Sequence, residues 1–194
     1  MNKPNNYDQT RAGGEYVPIE LGGHRGIIKQ VTETTSKSGK EMIIVSIDFA
    51  AEDKQPKYFE EQYRNDTRDE KKWPYQATQY IVTEDNEGNT TRSFKSFCTN
   101  FEISNGVTIK WGSNWGAQFK GRRIGVVYGE VEEKYNGEVK TRRRIRWFCD
   151  DHKATEQAIP EKQIYKGAAS AAPADNADGP WMPTDFSEDE LPFR

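Results

Sequence analysis

The sequence predicts a mainly β domain: a five-stranded antiparallel barrel with one helix between its third and fourth strands, an inserted loop or hairpin, and a disordered acidic tail. Three observations predict it. Asn136-Gly137 sits at the centre of a long alternating stretch, Arg122 to Phe148. An Asn-Gly pair in that setting is the strongest short-range signal for a type I′ hairpin turn. Ser36-Lys37-Ser38-Gly39-Lys40 separates a strand-like run, Gly26 to Thr35, from an alternating one, Met42 to Phe49, which makes a first hairpin. Between the two hairpins, Phe94, Phe97, Cys98 and Phe101 recur at i, i+3, i+4 and i+7, the apolar stripe of a helix.

Taken in order, residues 1–14 are polar and end in glycines, a flexible leader, and the domain runs over 15–166. Ala50 to Lys57 is a polar connection. Tyr58 to Tyr63 is expected to be the third strand, with Tyr58, Phe59 and Tyr63 on it. Asn65 to Asn89 is extra to the basic plan. It contains Lys71-Lys72-Trp73-Pro74-Tyr75, where the proline disfavours a central strand, and a short β-like run from Gln76 to Val82. Ser93 is placed to cap the helix and Asn105-Gly106 to stop it. Residues 153–166 read as a helical turn, Pro160 and a short extended segment. Two strands, a third, a helix and two more strands is the order of an OB-fold; an open β-sheet packed on one helix has the same order.

Counting outward from Asn136-Gly137 pairs Tyr135 with Glu138, Glu133 with Lys140, Tyr128 with Ile145 and Val126 with Trp147. Residues that face each other share a side of the sheet. One side then gathers Ile124, Val126, Tyr128, Ile145 and Trp147 as core. The other gathers Arg123, Val127, Val131, Arg142, Arg144 and Arg146, with Gly125 and Gly129 between them, a basic row left open by glycines. The span from Lys110 to Arg146 holds ten Lys or Arg against four Glu in a chain of net charge −3. A solvated strand face is the plainer reading of such a row, and a phosphate track the functional one.

Hydrophobic residues make up 34% of the chain and its mean hydropathy is −0.99, so part of it lies outside any core. Residues 1–167 carry 27 basic and 25 acidic groups, and residues 168–194 carry one and six. A weakly basic body thus bears an acidic tail. Two cysteines, Cys98 and Cys149, make no disulfide framework and point to a reducing compartment. No signal peptide or membrane-spanning run is present, which makes a cytoplasmic protein with no membrane partner. His24, Cys98, Cys149 and His152 lack metal-ligand spacing, adjacent Asp150-Asp151 point to opposite strand faces, and no phosphate loop or nucleophile elbow occurs. No metal, cofactor or catalytic residue is expected.

Residues 167–194 form the tail. Its tip sets apolar Phe186, Leu191 and Phe193 among Asp185, Glu188, Asp189 and Glu190, beside Pro192. Such a segment suits a basic partner surface with a small apolar pocket. Ser187-Glu188-Asp189-Glu190-Leu191-Pro192-Phe193 resembles the acidic tip of bacterial and phage single-stranded-DNA-binding proteins, with Arg194 added after it. The body, from about Glu15 to Tyr165, is similar to a family of phage and mobile-element single-stranded-DNA-binding proteins long described only as a domain of unknown function. The similarity runs through Ser38-Gly39-Lys40, Asn65-Asp66-Thr67-Arg68 with Lys71-Lys72-Trp73, Thr83 to Asn89, Phe94-Lys95, and Phe119-Lys120-Gly121 before Val126 to Gly129. The resemblance implies an OB-like fold, a role in phage replication or recombination, and the host cytoplasm as the setting.

Sequence-tolerant binding of single strands needs a basic groove and aromatic faces for bases. The residues assigned to it are Arg123, Arg142, Arg144 and Arg146, with Lys37 and Lys40 on an OB rim, and Trp73, Tyr58 and Tyr63 for stacking. If each arginine neutralises one phosphate, losing all four lowers the salt slope by about 3. The expected partners are single-stranded DNA and, through the tip, replication or recombination proteins; the sequence is compatible with a homodimer. A metal-dependent nuclease on a β-scaffold, and an adaptor or host inhibitor acting through the tail, are the competing readings.

Overall fold

The computed structural model describes residues 2–5, 7–9 and 17–167; the predicted tail from residue 168 on, tip included, and half of the leader lie outside the described residues. The elements are β1 (Gly22–Thr35), β2 (Glu41–Phe49), α1 (Tyr58–Asn65), β3 (Thr78–Val82), α2 (Arg92–Asn105), β4 (Arg123–Tyr135) and β5 (Glu138–Cys149). The strands form one sheet in the order β3-β2-β1-β4-β5, antiparallel throughout. The expected closure into a barrel is not made by hydrogen bonding: among the described residues no ladder joins β3 to β5. Side chains of β4 and β5 instead reach the turn that precedes β3. The Tyr128 hydroxyl donates to the Gln76 carbonyl at 2.8 Å, and the Arg144 guanidinium lies 3.9 Å from the centre of the Tyr75 ring. Tyr75 and Gln76 belong to a 3-10 turn, Tyr75–Ala77, that leads into β3. No helix among the described residues is long and apolar enough to cross a membrane.

One face of the sheet carries the core. Ile43, Val45, Ile47 and Phe49 alternate along β2 and meet Ile28 and Val31 of β1 and Ile124, Val126 and Tyr128 of β4. Phe97, Cys98 and Phe101 of α2 cover them, as the helical period predicts. The α2 cap is Thr91 rather than Ser93: its hydroxyl accepts from the Phe94 N–H, and Gly106, left-handed, ends the helix.

The expected third strand is a helix. Tyr58 to Asn65 forms α1, and the third strand is the later run Thr78–Val82, inside the stretch expected to be an insertion. The reason is distant in sequence. Asp48, at the end of β2, accepts from the Phe59 N–H at 3.0 Å and the Glu60 N–H at 3.2 Å, meeting donors that the first turn of a helix leaves without partners. Lys57, with φ of 52°, turns the chain in and offers no side-chain cap of its own. Phe59 then enters the core between Phe49 and Tyr128.

The long hairpin has Asn136 and Gly137 both at positive φ and pairs as counted from Tyr135–Glu138 to Tyr128–Ile145. There the register slips. Arg146 is an extra residue, so Trp147 faces Val127 and Phe148 faces Val126. This bulge moves Trp147 out of the expected core face. Phe148 fills the main core, and Trp147 packs in a small cluster with Val127, Cys149 and Ala154 on the opposite face.

Candidate nucleic-acid interface

The four arginines lie on the hairpin as the sequence places them, but they do not make an open row. Glu133 shares their face, diagonal to Arg142 across the strands, where long side chains meet. It takes both Nε and Nη2 of Arg144, at 2.6 and 2.7 Å, and stands 3.7 Å from Arg142. Arg144 is buried, with 4% of its surface exposed. Arg123 pairs with Glu52, and Arg146 donates to the Glu161 carbonyl at 2.9 Å. The glycines do not leave a groove either. A Cβ on Gly129 would lie 2.5 Å from Pro160, and one on Gly125 2.6 Å from the Cys149 sulfur. The chain's own segment after β5 fills that space: a 3-10 turn, Asp151–Glu156, then an extended run in which Gln163 bridges to Val131.

The aromatic candidates divide. Tyr58 is buried on α1, with its hydroxyl on the Val17 carbonyl at 2.7 Å, so its ring offers no stacking face. Trp73 is half-buried against the core, and its indole N–H donates to the Ile47 carbonyl at 3.0 Å. Tyr63, 36% exposed, leans on Trp73 with ring centres 5.5 Å apart, and Lys29 approaches the other ring from β1. Lys37 and Lys40 sit in the turn between β1 and β2, closed by the Ser36 N–H on the Lys40 carbonyl at 2.8 Å. Lys37 is exposed and Lys40 half-buried.

A second surface went unassigned in the sequence. On the side of the sheet away from the core, three cross-strand rows run through β1, β2 and β3: Gln30–Ser46–Thr78, Thr32–Ile44–Tyr80 and Thr34–Met42–Val82. No residue in these rows is charged. Tyr80 stands in the middle row, and burial, aided by the neighbouring Tyr75, pushes its hydroxyl up to about 12. The Tyr75 ring is 6.3 Å from Tyr80 and carries Arg144. From there Glu133 leads to Arg142, whose guanidinium lies 5.6 Å from the Tyr135 ring, with Lys140 on the same ring at 6.0 Å. Tyrosine rings and arginines, joined through the Glu133 carboxylate, therefore link the face of β3 to the tip of the long hairpin. The lysine turn stands at the opposite end of the rows. The sequence signal is the alternation of Thr78, Tyr80 and Val82 against Gln79 and Ile81, a five-residue run too short to stand out beside Pro74 and the charged stretch before it.

The histidine and cysteines serve the interior. His24 is fully buried, stacked on Phe49 at 4.1 Å. Its Nδ1 meets Asp53 and its Nε2 the Glu20 carbonyl, each at 2.9 Å, so both ring nitrogens are engaged inside the molecule. Burial pushes the Cys98 and Cys149 thiols up to about 12, far from the thiolate a metal takes. Among the described residues no group of three or more His, Cys, Asp or Glu is placed to hold a metal ion. Compared with known proteins, the chain matches no protein-family model and no curated protein.

Proposed function

We propose that this protein binds single-stranded DNA without catalysing a reaction, and that its strands form an OB-like body. Its order β3-β2-β1-β4-β5 is that of an OB barrel cut between its third and fifth strands. OB-folds take oligonucleotides on the face of strands two and three, between the loop joining strands one and two and the loop joining strands four and five. In this chain those parts are the uncharged tyrosine face, the turn with Lys37 and Lys40, and the hairpin tip with Lys140 and Arg142. Arg144 acts by holding Tyr75, and Arg123 and Arg146 by holding the hairpin to its surroundings. The observation that carries the reading is the uncharged sheet face with Tyr75 and Tyr80, bounded by cations at both ends. Such a face stacks bases without reading them, while the flanking cations meet phosphates.

The acidic tip then recruits replication or recombination enzymes to the coated strand, a role that rests on the resemblance of Ser187 to Phe193. The test is fluorescence anisotropy of labelled oligo(dT), and of a duplex of equal length, at two salt concentrations. The single strand is expected to bind preferentially. Tyr80→Ala should weaken it roughly 5- to 150-fold, the loss of one stacked base at ~1–3 kcal/mol. Equal affinity for the duplex, or no effect of Tyr80→Ala, overturns the proposal.

A further inference from the structure

A cleft of about 460 Å³ opens where the lysine-turn ends of β1 and β2 meet the start of α2 and the segment before β4. Its volume lies within the range of small ligand sites, ~300–1,000 Å³. Phe94, Trp111 and Trp115 supply its aromatic walls, and Glu33, Glu41 and Glu84 are among its lining residues. No lining residue is basic, although Arg92 and Lys110 neighbour the aromatic walls in sequence. Trp111 stacks on Trp115 with ring centres 5.7 Å apart and planes 18° apart, and Phe94 meets Trp111 edge-on and Trp115 at a tilt. Yet Trp111 is 68% exposed. A tryptophan held in place by two other rings and still left open is a preformed surface whose cost of ordering is already met.

The charge says what that surface takes. Ring faces attract cations, and three exposed carboxylates reinforce the attraction. The same carboxylates repel a phosphate backbone, which distinguishes this cleft by charge from the uncharged face proposed for DNA, although Thr34 and Met42 border both. They also disfavour the chain's own residues 168–194, with six acidic groups to one basic. A long aliphatic stem with a cationic head fits both parts, the stem along indole and the head towards the carboxylates. We propose that this cleft docks a lysine or arginine side chain from a basic segment of a partner protein, a second docking site on the body independent of the acidic tip.

The full chain is titrated with the capped peptide Gly-Arg-Gly-Lys-Gly, and with its counterpart carrying Gln at both basic positions, while the indole N–H resonances of Trp111 and Trp115 are followed. The basic peptide should shift both indoles saturably. Trp111→Ala, and separately Glu41→Gln with Glu84→Gln, should each weaken binding by at least ~10-fold, with unchanged thermal unfolding because all three side chains are exposed. Capture of the peptide by the acidic tail alone would leave the indoles still and the glutamate variant unaffected, and would overturn the proposal. So would equal shifts from the Gln peptide, which would make the cleft merely apolar. Displacement of the peptide by oligo(dT), with the same two indoles moving, would assign the cleft to DNA instead. None of these outcomes depends on Tyr80.

Discussion

Glu133→Gln should destabilise the protein by stranding Arg144. The guanidinium has 5% of its side chain in water and gives two hydrogen bonds to one carboxylate. Removing one partner of a fully buried pair costs ~3–5 kcal/mol. Glu133 keeps 27% of its side chain exposed and glutamine can still accept one bond, so about 2–3 kcal/mol is the better figure here. For a body of this size that lowers the melting temperature by about 5–10 °C. The double variant Glu133→Leu with Arg144→Met removes both charges and leaves an apolar chain over Tyr75. It should lie within ~1 kcal/mol of the parent. Calorimetry measures both, and the same proteins serve in DNA titrations across salt. Because Arg144 is engaged by carboxylate and ring, the double variant should leave the slope of log K against log salt unchanged, whereas Arg142→Gln should lower it by ~0.7. A Glu133→Gln protein that melts with the parent, or a double variant with a lowered slope, refutes the assignment of Arg144 to structure.

Three other outcomes are expected. Asp48→Ala leaves the Phe59 and Glu60 N–H groups without an acceptor, at ~1–3 kcal/mol each if they stay buried; hydrogen exchange should show α1 opening well before β4 and β5. Burial alone would push the Asp53 carboxyl up, but the His24 hydrogen bond and the Gln55 and Arg25 N–H groups hold it below its ordinary value. A carboxylate lowered in this way contributes stability above pH ~4 that is lost as pH falls through its folded-state value, so Asp53→Asn should flatten the acid limb of a stability–pH curve and lower the plateau at neutral pH. Deleting residues 168–194 removes a net charge of −5; oligo(dT) affinity measured by anisotropy should hold or rise, whereas an adaptor working through its tail would lose partner binding.

The long hairpin was legible because its information is local. Asn136-Gly137 sets the turn, and an eight-residue run of pairs follows by counting. The helical stripe of α2 was legible for the same reason, since Phe97, Cys98 and Phe101 need only their own spacing to find one face. Even the fate of Arg144 is partly readable: the counted pair Glu133–Lys140 implies that Glu133 shares the arginine face, but counting alone does not show that its carboxylate reaches Arg144.

What lay beyond the sequence was decided by groups far apart in it. Tyr58 to Asn65 is helical because the Asp48 carboxylate meets its first N–H groups, and a strand-like set of aromatics is silent about a cap outside it. The slip at Arg146 turns Trp147 to the other side, since one unpaired residue reverses every later side chain. The space beside Gly129 belongs to Pro160, thirty-one residues on. Local pattern determined which stretches are strands and helix, because hydrogen-bond periodicity is a property of neighbours; tertiary structure decided which cations stay open to a ligand, because burial and ion pairing depend on what the rest of the chain brings alongside.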